Sequence, residues 1–387
     1  MSDRIPERPS VRIVAGPAAV DPAAGEARRF WGMTARERLE RALSRAGAAQ
    51  AADAMVLIRD DFIFDEMLIP ALLRQPGLLL TAAAGGPVAA HLGEAAQAPV
   101  VAAALASGDA NALPAELRRV DAAGLASTYN KTLRRRSPPY LMRVDSMPAI
   151  AIERRMFNGA YKGVTDFVTK RVWPWPAFHV TRFCARFGIS PNLVTAVSLI
   201  LVLLAMALFW QGHFALGLLC AWGMCFLDTV DGKLARVTLR STPFGNIFDH
   251  GIDLIHPPFW YWAWYHGLIL DNLGFSDSLL SFSLLVVIVG YVGGRLQEGL
   301  FTWLHGIEIH IWRPIDSWFR EITARRNPNL FILTVAIILD SPREGFVAVA
   351  IWTLFSFAFH TIRILQASLV KAMGRAPVSW LSEPMKS

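Results

Sequence analysis

The sequence predicts an α-helical integral membrane bundle of six transmembrane helices, preceded by an interfacial amphipathic helix and a small cytoplasmic α/β domain. The chain has 387 residues, of which 53% are hydrophobic. From Asn192 onward these residues gather into long apolar runs separated by short polar stretches, the pattern of a polytopic membrane protein. Residues 1 to about 145 are instead rich in Ala, Arg and Asp, which indicates a soluble region.

The soluble region alternates strand and helix patterns. The runs "SVRIVAG", "AMVLIRDDFIF" and "GLLLTAAA" are typical of short β-strands. Between them, "TARERLERALSRAG" places Leu39, Leu43 and Ala46 on one helical face. This alternation favours a small, mostly parallel α/β domain over residues 1–130, followed by a basic linker over 131–160. No charged segment leading into an apolar core opens the chain, so we expect no signal peptide.

A short amphipathic helix is predicted within residues 161–190, in the stretch "WPWPAFHVTRFCARFGISPN". Its apolar face carries Val180, Phe183, Cys184 and Phe187. Arg182 and Arg186 lie off that face. Such a helix either packs on a soluble core or lies in the cytoplasmic headgroup plane. Trp173 and Trp175 upstream, with an apolar span downstream, favour the membrane surface.

The apolar segments are predicted to cross the membrane within a domain over residues 191–375, followed by a tail over 376–387. They lie at roughly 192–211, 214–229, 246–268, 278–298, 328–340 and 345–369. Basic residues are concentrated in the connections that would face the cytoplasm: Lys233, Arg236, Arg240, Arg313, Arg320, Arg325, Arg326, Lys371, Arg375 and Lys386. The opposite connections hold Arg343 alone. This positive-inside asymmetry places both termini in the cytoplasm.

The net charge of +7 is compatible with nucleic-acid binding in principle. Because the basic residues follow the membrane topology, we assign them to that topology and expect no nucleic-acid partner. The cysteines, Cys184, Cys220 and Cys225, have no metal-binding or redox spacing, so we expect a reduced, structural role for them.

Four aspartates lie beside some of the most apolar sequence in the chain, in "FLDTVDGKLARVTLRSTPFGNIFDHGID". Asp228 and Asp231 are three residues apart at the cytoplasmic end of the second span, so they share a helix face. Asp249 and Asp253 are four apart at the start of the third span and share a face as well. The intervening Gly232, Pro243 and Gly245 permit a tight reversal that brings the two helix ends together.

Carboxylates that converge in this way repel one another and cannot all stay ionised alone. Hard divalent cations that prefer oxygen ligands relieve the repulsion, so we predict Mg²⁺ or Mn²⁺, with room for two ions. Aspartates that merely solvate a loop would need no regular spacing. Here the pattern D-x2-D-G-x2-A-R-x8-G-x3-D-x3-D holds without a departure, which favours a functional site.

This pattern resembles the signature of the CDP-alcohol phosphotransferase (CDP-alcohol phosphatidyltransferase) family at Asp228, Asp231, Gly232, Ala235, Arg236, Gly245, Asp249 and Asp253. The resemblance covers roughly residues 161–370, including "SPNLVT" before the first span. The stretches "ERRMFNGAYKGVTDFVTK" and "ITARRNPNL" resemble the branch near the di-myo-inositol-phosphate-phosphate synthases. The "RDDFIFD" stretch resembles sugar-nucleotide-type nucleotidyltransferases, with Asp61 at the metal-binding position. A Gly-rich basic phosphate loop is missing after the first strand, so we expect this domain to be degenerate and structural.

The resemblance implies transfer of a phosphoalcohol from a CDP-linked donor to the hydroxyl of a second alcohol, with release of CMP, in phospholipid or phosphoinositol-type biosynthesis. By the same resemblance, Asp228, Asp231 and Asp249 are metal ligands. Asp253 is shared between metal binding and deprotonation of the acceptor. A homodimer in contact with membrane lipid is also implied.

Further residues are implied to contact the donor. Gly232 and Ala235 would let the cytidine and ribose approach the helix closely, while Arg236 would pair with the diphosphate. Asn192, Thr242 and Gly245 match donor-contacting positions, beside Asp228 and Asp231.

The acceptor side is less defined by the sequence. Arg313, Arg320, Arg325 and Arg326 lie in the connection between the fourth and fifth predicted spans, on the same side as the aspartates. They could bind an acceptor phosphate such as inositol or glycerol phosphate. They could equally be topological charge or contacts to anionic lipid.

Two other classes of function remain open at this stage. A divalent-cation transporter also uses intramembrane carboxylates, but it predicts acids near mid-membrane on several spans. A membrane-anchored scaffold would leave the aspartate spacing unexplained. The sequence leaves the identities of donor and acceptor open.

Overall fold

A computed structural model describes residues 9–18, 26–51, 53–270 and 278–382. The connection predicted around Ile269–Asp277 and the basic Lys386 lie largely or wholly outside these residues. The chain divides into two compact units. The first comprises Met1–Tyr161, Ala185–Gly188 and Arg236–Arg240, and the second comprises Lys162–Cys184, Ile189–Ala235 and Ser241–Ser387.

The first unit contains short strands and helices in alternation. The strands are β1 (Ser10–Val14), β2 (Arg29–Phe30), β3 (Met33–Thr34), β4 (Ala49–Gln50), β5 (Val56–Arg59), β6 (Phe62–Phe64), β7 (Leu78–Thr81), β8 (Pro87–His91), β9 (Arg118–Val120), β10 (Tyr129–Asn130), β11 (Arg135–Arg136) and β12 (Leu141–Arg143). The helices are α1 (Ala35–Arg45), α2 (Leu68–Leu72), α3 (Ala98–Ser107), α4 (Ala122–Leu125) and α5 (Ala149–Gly159), with a 3₁₀ turn at Ala95–Gln97. Residues 131–160, expected as a linker, therefore contain β11, β12 and α5.

A six-stranded sheet in the order β4-β1-β5-β8-β7-β9 forms the centre of this unit. Strand β8 is antiparallel to both β5 and β7, and the other pairs are parallel. Along β5, Val56 and Ile58 pack into one core while Leu57 packs into the other, so both faces of the sheet are covered. The structure therefore has the α/β region, with a mostly parallel sheet, that the strand and helix alternation predicted.

The second unit is almost entirely helical. Its helices are α6 (Pro174–Arg186), α7 (Pro191–Trp210), α8 (Phe214–Val237), α9 (Pro243–Ile269), α10 (Ser278–His305), α11 (Pro314–Phe319), α12 (Arg326–Ile338) and α13 (Pro342–Ala372). A π-helical turn at Val168–Val172 and a 3₁₀ turn at Ile309–Ile311 complete it. These bounds are those of whole helices, so the last residues of α6 and α8 belong to the first unit.

A helix lies at each of the six predicted spans, but four helices among the described residues are long and apolar enough to cross a membrane: α7, α8, α10 and α13. Helix α12 has only 13 residues, fewer than the roughly 20 that a bilayer requires. Helix α9 has 27 residues but is not among the four. The count of six crossing helices therefore stays a prediction.

Two serine or threonine caps fix where α7 and α9 begin. The Ser190 hydroxyl accepts from the Leu193 backbone N–H at 3.2 Å, and the Thr242 hydroxyl accepts from the Gly245 N–H at 3.0 Å. In both helices a proline follows the cap, where its missing N–H has no helical partner to lose. These local signals set the start of the helix that carries Asp249 and Asp253.

Helices α7 and α9 pack closely in the core of the second unit. A Cβ added at Gly267 would lie 2.2 Å from the carbonyl oxygen of Phe209, so only glycine fits there. The side chains of Phe209, Trp260 and Trp264 fill the same core. This packing holds the second half of α9 against the end of α7.

The predicted apolar face of α6 is only partly correct. The helix buries Ala177, Phe178, Thr181 and Cys184. Phe183 and Phe187 are 56% and 66% exposed, and Trp175 is 74% exposed. The face that includes Phe178 and Thr181 was missed because a threonine and an alanine contribute little to an apolar pattern. Exposed aromatic residues beside a buried face agree with a helix at a membrane surface.

Candidate active site

Three aspartates from two helices converge at one point. Asp228 is on α8, and Asp249 and Asp253 are one turn apart near the start of α9. Each offers one carboxylate oxygen, and these three oxygens lie within 4.8 Å of one another. The side chains are half-buried. The reversal between α8 and α9 therefore brings together carboxylates from separate stretches of the sequence.

The fourth aspartate, Asp231, is the most buried of the set, with 3% of its surface exposed. One carboxylate oxygen, Oδ2, accepts a hydrogen bond of 2.6 Å from the Thr195 hydroxyl. The other, Oδ1, is buried without a hydrogen-bond partner among the described residues. A buried carboxylate oxygen left in this way is costly, so Oδ1 has the properties of a ligand atom.

Thr195 is a site residue that the sequence reasoning missed. It lies one turn into α7, and its hydroxyl is also 3.1 Å from the carbonyl oxygen of Pro191. Threonines in apolar helices commonly donate to the preceding turn, so nothing in the sequence around Thr195 separates it from that ordinary role. Only the hydrogen bond from Thr195 to Asp231 shows that this residue belongs to the site.

One arginine of the predicted acceptor cluster forms hydrogen bonds with two of the aspartates. Arg326 begins α12, and its Nη2 donates to Asp228 Oδ2 at 2.6 Å. Its Nη1 donates to Asp253 Oδ1. The planar guanidinium thus bridges carboxylates from α8 and α9 in a charge-assisted pair of hydrogen bonds.

The other arginines of that cluster have different partners in the structure. Arg325 forms an ion pair with Glu298 on α10, which also accepts from His310 Nε2 at 3.2 Å. Burial lowers the pKa of His310 to about 3, so this imidazole is neutral. Arg313 lies over the Trp312 ring, 5.3 Å from its centroid.

Arg320 lies near Asp166. Burial favours the neutral form of Asp166, but Arg320 and hydrogen bonds from Thr169 and Asn327 outweigh it and hold the pKa of that carboxyl below its usual range. Of this predicted cluster, Arg326 forms ion pairs with Asp228 and Asp253.

The predicted donor-contacting residues Asn192, Thr242 and Gly245 lie together. A Cβ added at Gly245 would be 2.6 Å from Asn192 Oδ1 and 3.0 Å from Thr242 Oγ1. Gly232 and Ala235 are half-buried on α8, one and two turns beyond Asp228. Arg236, in the last turn of α8, donates from Nε to the carbonyl oxygen of Ala160 at 2.9 Å, a contact within the first unit.

Comparison with known proteins decides the family of this part of the chain. Residues 188–315 match the family model of the CDP-alcohol phosphatidyltransferases. The chain carries a CDP-alcohol phosphatidyltransferase domain. The family match and the four apolar helices together identify the chain as an integral membrane protein.

Curated relatives share parts of this CDP-alcohol phosphatidyltransferase domain. The archaetidylinositol phosphate synthase of Pyrococcus horikoshii is 37% identical over 79 residues, which cover 20% of this chain and 42% of the relative. Cholinephosphotransferase 1 of Mus musculus is 33% identical over 116 residues, 28% of this chain and 29% of the relative. Cholinephosphotransferase 1 of Homo sapiens is 28% identical over 136 residues, which cover 32% of this chain and 33% of the relative. The chain therefore spans less than half the length of these relatives.

The carboxylate oxygens that converge in the CDP-alcohol phosphatidyltransferase domain suit a divalent metal ion. The converging ligand atoms are carboxylate oxygens, which Mg²⁺ and Mn²⁺ prefer. Asp231 adds a buried oxygen that has no other partner among the described residues. Three of the four predicted metal ligands therefore converge as a cation site requires, and Asp231 is not among the residues whose oxygens converge.

We expect Thr195→Val to lower the transferase rate by about 10- to 100-fold, because a hydrogen bond to a charged group contributes roughly 1.5–3 kcal/mol. Valine keeps the shape but leaves Asp231 without its 2.6 Å hydrogen bond. The measurement is the initial rate of CMP release by purified protein. Thr195→Ser, which keeps the hydroxyl, is the control and should stay close to wild type. Equal rates for the valine and serine variants would contradict a role for this hydrogen bond.

Gly245→Ala is expected to raise the KM for the CDP-linked donor and to lower kcat/KM by about tenfold or more, because small displacements of positioning groups are costly. The new methyl group would force Asn192 or Thr242 to move. Gly251→Ala on the same helix is the matched control, since its Cβ would meet nothing within 4 Å. If both variants show the same donor KM, Gly245 does not position the donor.

Both carboxylate oxygens of Asp61, in the first unit, accept hydrogen bonds. Arg59 donates from Nε to Asp61 Oδ1 at 2.9 Å and from Nη2 to Oδ2 at 2.7 Å. Oδ2 also accepts from the Ala18 backbone N–H at 3.3 Å, and Asp61 is fully buried. An arginine therefore neutralises this carboxylate, in keeping with the expected degenerate domain. The family match begins at residue 188, so the nucleotidyltransferase resemblance itself is not confirmed.

Proposed function

We propose that this protein is a membrane-embedded transferase. It moves a phosphoalcohol group from a CDP-alcohol to the hydroxyl of an acceptor alcohol and releases CMP, in phospholipid or phosphoinositol-type biosynthesis. The observation that carries the proposal is the convergence of Asp228, Asp249 and Asp253 within the matched domain. Acids grouped at the facing ends of two helices suit a reaction centre better than an ion path, which needs polar groups along several spans.

We assign the metal site to Asp228, Asp231, Asp249 and Asp253, which would hold two Mg²⁺ or Mn²⁺ ions. When bound, the ions neutralise charge on the diphosphate and make the acceptor hydroxyl more acidic. The buried oxygen of Asp231 and the all-carboxylate ligand set support this assignment.

We assign deprotonation of the acceptor hydroxyl to Asp253. The Asp253 side chain is 37% exposed, more than those of Asp249 and Asp228, so an acceptor hydroxyl can reach it and transfer its proton.

The donor is assigned to the surface around Gly245, where Asn192 and Thr242 lie close to the helix backbone. Gly232 and Ala235 leave room for the nucleoside because neither has a large side chain. The planar guanidinium of Arg236 is assigned to the diphosphate.

We propose that six helices of the second unit, α7 to α10, α12 and α13, cross the inner membrane, with both termini and the active site in the cytoplasm. Positive charges in the predicted cytoplasmic connections support this orientation. At 1.5 Å per residue, α12 extends about 20 Å, so its crossing requires a locally thinned bilayer.

The orientation is tested by thiol labelling of intact cells. In a cysteine-free background, the Asp340→Cys variant should react with a membrane-impermeant reagent added from outside, because Asp340 lies between α12 and α13. Protection of this variant in intact cells, with labelling only after the cells are opened, would contradict the orientation.

Release of CMP is the direct test of the proposed reaction. Purified full-length protein with Mg²⁺ would be screened against CDP-linked amino alcohols, polyols and diacylglycerol, each with candidate acceptor alcohols. The product of any active pair would be identified by mass spectrometry. We expect CMP release that requires an acceptor and stops on chelation of the metal. Divalent-cation flux into proteoliposomes without nucleotide, with no CMP release from any pair, would favour a transporter instead.

The resemblance also implies a homodimer. Native mass spectrometry of the detergent-solubilised protein tests this, and a monomer at all concentrations would contradict it.

A further inference from the structure

Arg326 contacts two of the three aspartates that a divalent cation would use. It contacts Asp228 Oδ2 at 2.6 Å and also Asp253 Oδ1, two of the three residues whose carboxylate oxygens converge. Only 15% of the Arg326 side chain is exposed, so water screens these ion pairs weakly. The guanidinium therefore supplies positive charge that the clustered carboxylates need.

Contacts on both sides hold this arginine in place. The preceding residue, Arg325, pairs with Glu298 on α10. The following residue, Asn327, donates from Nδ2 to Asp166 Oδ1 at 2.8 Å and is 5% exposed. Because both neighbours are fixed, the backbone of Arg326 at the start of α12 is fixed too, and its side chain reaches the aspartates from a defined point.

A guanidinium and a divalent cation that contact the same carboxylates oppose one another. The two positive charges repel at a separation of a few ångströms, and each is stabilised by the negative charge of the same two side chains, Asp228 and Asp253. Without either cation, Asp228, Asp249 and Asp253 would repel one another. The arginine thus keeps the aspartates assembled, but it opposes metal binding.

We propose that Arg326 is a built-in counter-ion that competes with the divalent cation for Asp228 and Asp253. The metal displaces the guanidinium from at least one of these carboxylates when it binds. This inference depends on the metal site of the proposed function. In this inference Arg326 is a partner of the metal-binding aspartates. The sequence pattern instead places it with three other arginines as a candidate acceptor-phosphate residue.

The test is the affinity of the full-length protein in detergent for Mn²⁺ alone, measured from the electron paramagnetic resonance signal of free Mn²⁺. Arg326→Gln should bind Mn²⁺ at least about tenfold more tightly than wild type, because the competing charge is gone. Arg326→Lys should lie between them, since a single ammonium cannot reproduce the planar fork. Arg171→Gln, at an exposed arginine of the same unit, is the control and should match wild type.

A second measurement uses the wild-type protein and so does not depend on the folding of a variant. Labelling of Arg326 by phenylglyoxal, quantified by mass spectrometry, should rise at least about threefold when Mn²⁺ is added. Labelling of Arg171 in the same samples should not change.

The outcomes separate the two proposals. Tighter Mn²⁺ binding by Arg326→Gln, or increased labelling of Arg326, supports the competition. Equal or weaker Mn²⁺ binding by Arg326→Gln, with unchanged labelling, overturns it while the metal site stands. No Mn²⁺ binding by wild type or variants overturns the metal site and the competition together.

Discussion

Asp253→Asn should lower the rate of CMP release by at least about 1,000-fold, near the upper part of the range for loss of a general base. Asparagine has nearly the same shape, but it cannot accept a proton from the acceptor hydroxyl and brings no charge to the metal site. The measurement is kcat/KM for the donor at fixed Mg²⁺. Because Asp253 also pairs with Arg326, circular dichroism of the variant should confirm that the helices are intact.

The matched control is Asp340→Asn, which changes the same residue type at an exposed position between α12 and α13. Asp340 has a φ of +52°, a conformation that asparagine adopts as readily as aspartate. Its activity should therefore stay within about twofold of wild type, as for most surface substitutions. Equal turnover by Asp253→Asn and wild type would remove Asp253 from catalysis.

The second large effect is on stability. Arg59→Met should lower the free energy of unfolding of the first unit by about 3–5 kcal/mol, because it leaves the Asp61 carboxylate buried without its partner. The Arg59 and Asp61 side chains are only 4% and 0% exposed, so water cannot replace the lost contacts. Amide hydrogen exchange of peptides from β1 and β5, in the full-length protein, measures the change directly as faster exchange.

The double variant Arg59→Met/Asp61→Asn separates the buried pair from simple packing. It removes both charges and, with Asp61→Asn as the second change, keeps side chains of similar size, so much of the lost stability should return. If the single Arg59→Met variant exchanges as slowly as wild type, the ion pair contributes nothing to the unit. If the double variant is no more stable than the single one, lost packing of the arginine is the cause.

Local sequence patterns determined much of this protein. The short apolar runs of β1, β5 and β7 and the long ones of α7, α8, α10 and α13 were readable because each depends on neighbouring residues. The spacing of the four aspartates could be read in the same way, since three and four residues make about one helical turn. The predicted spans at 192–211 and 246–268 began one and three residues after the actual starts of α7 and α9 at Pro191 and Pro243.

Only the tertiary structure decided which groups complete each site. Thr195 and Asp231 are 36 residues apart, and Arg326 is 98 and 73 residues from Asp228 and Asp253. Asp61 and Arg59 lie close together in the sequence, yet the choice between a metal and an arginine as the partner of Asp61 depended on a fold that buries both. The periodicity around a residue carries no information on such partners. A hydrogen bond or ion pair between distant segments is set by how the helices and strands pack, and that packing is a property of the whole chain.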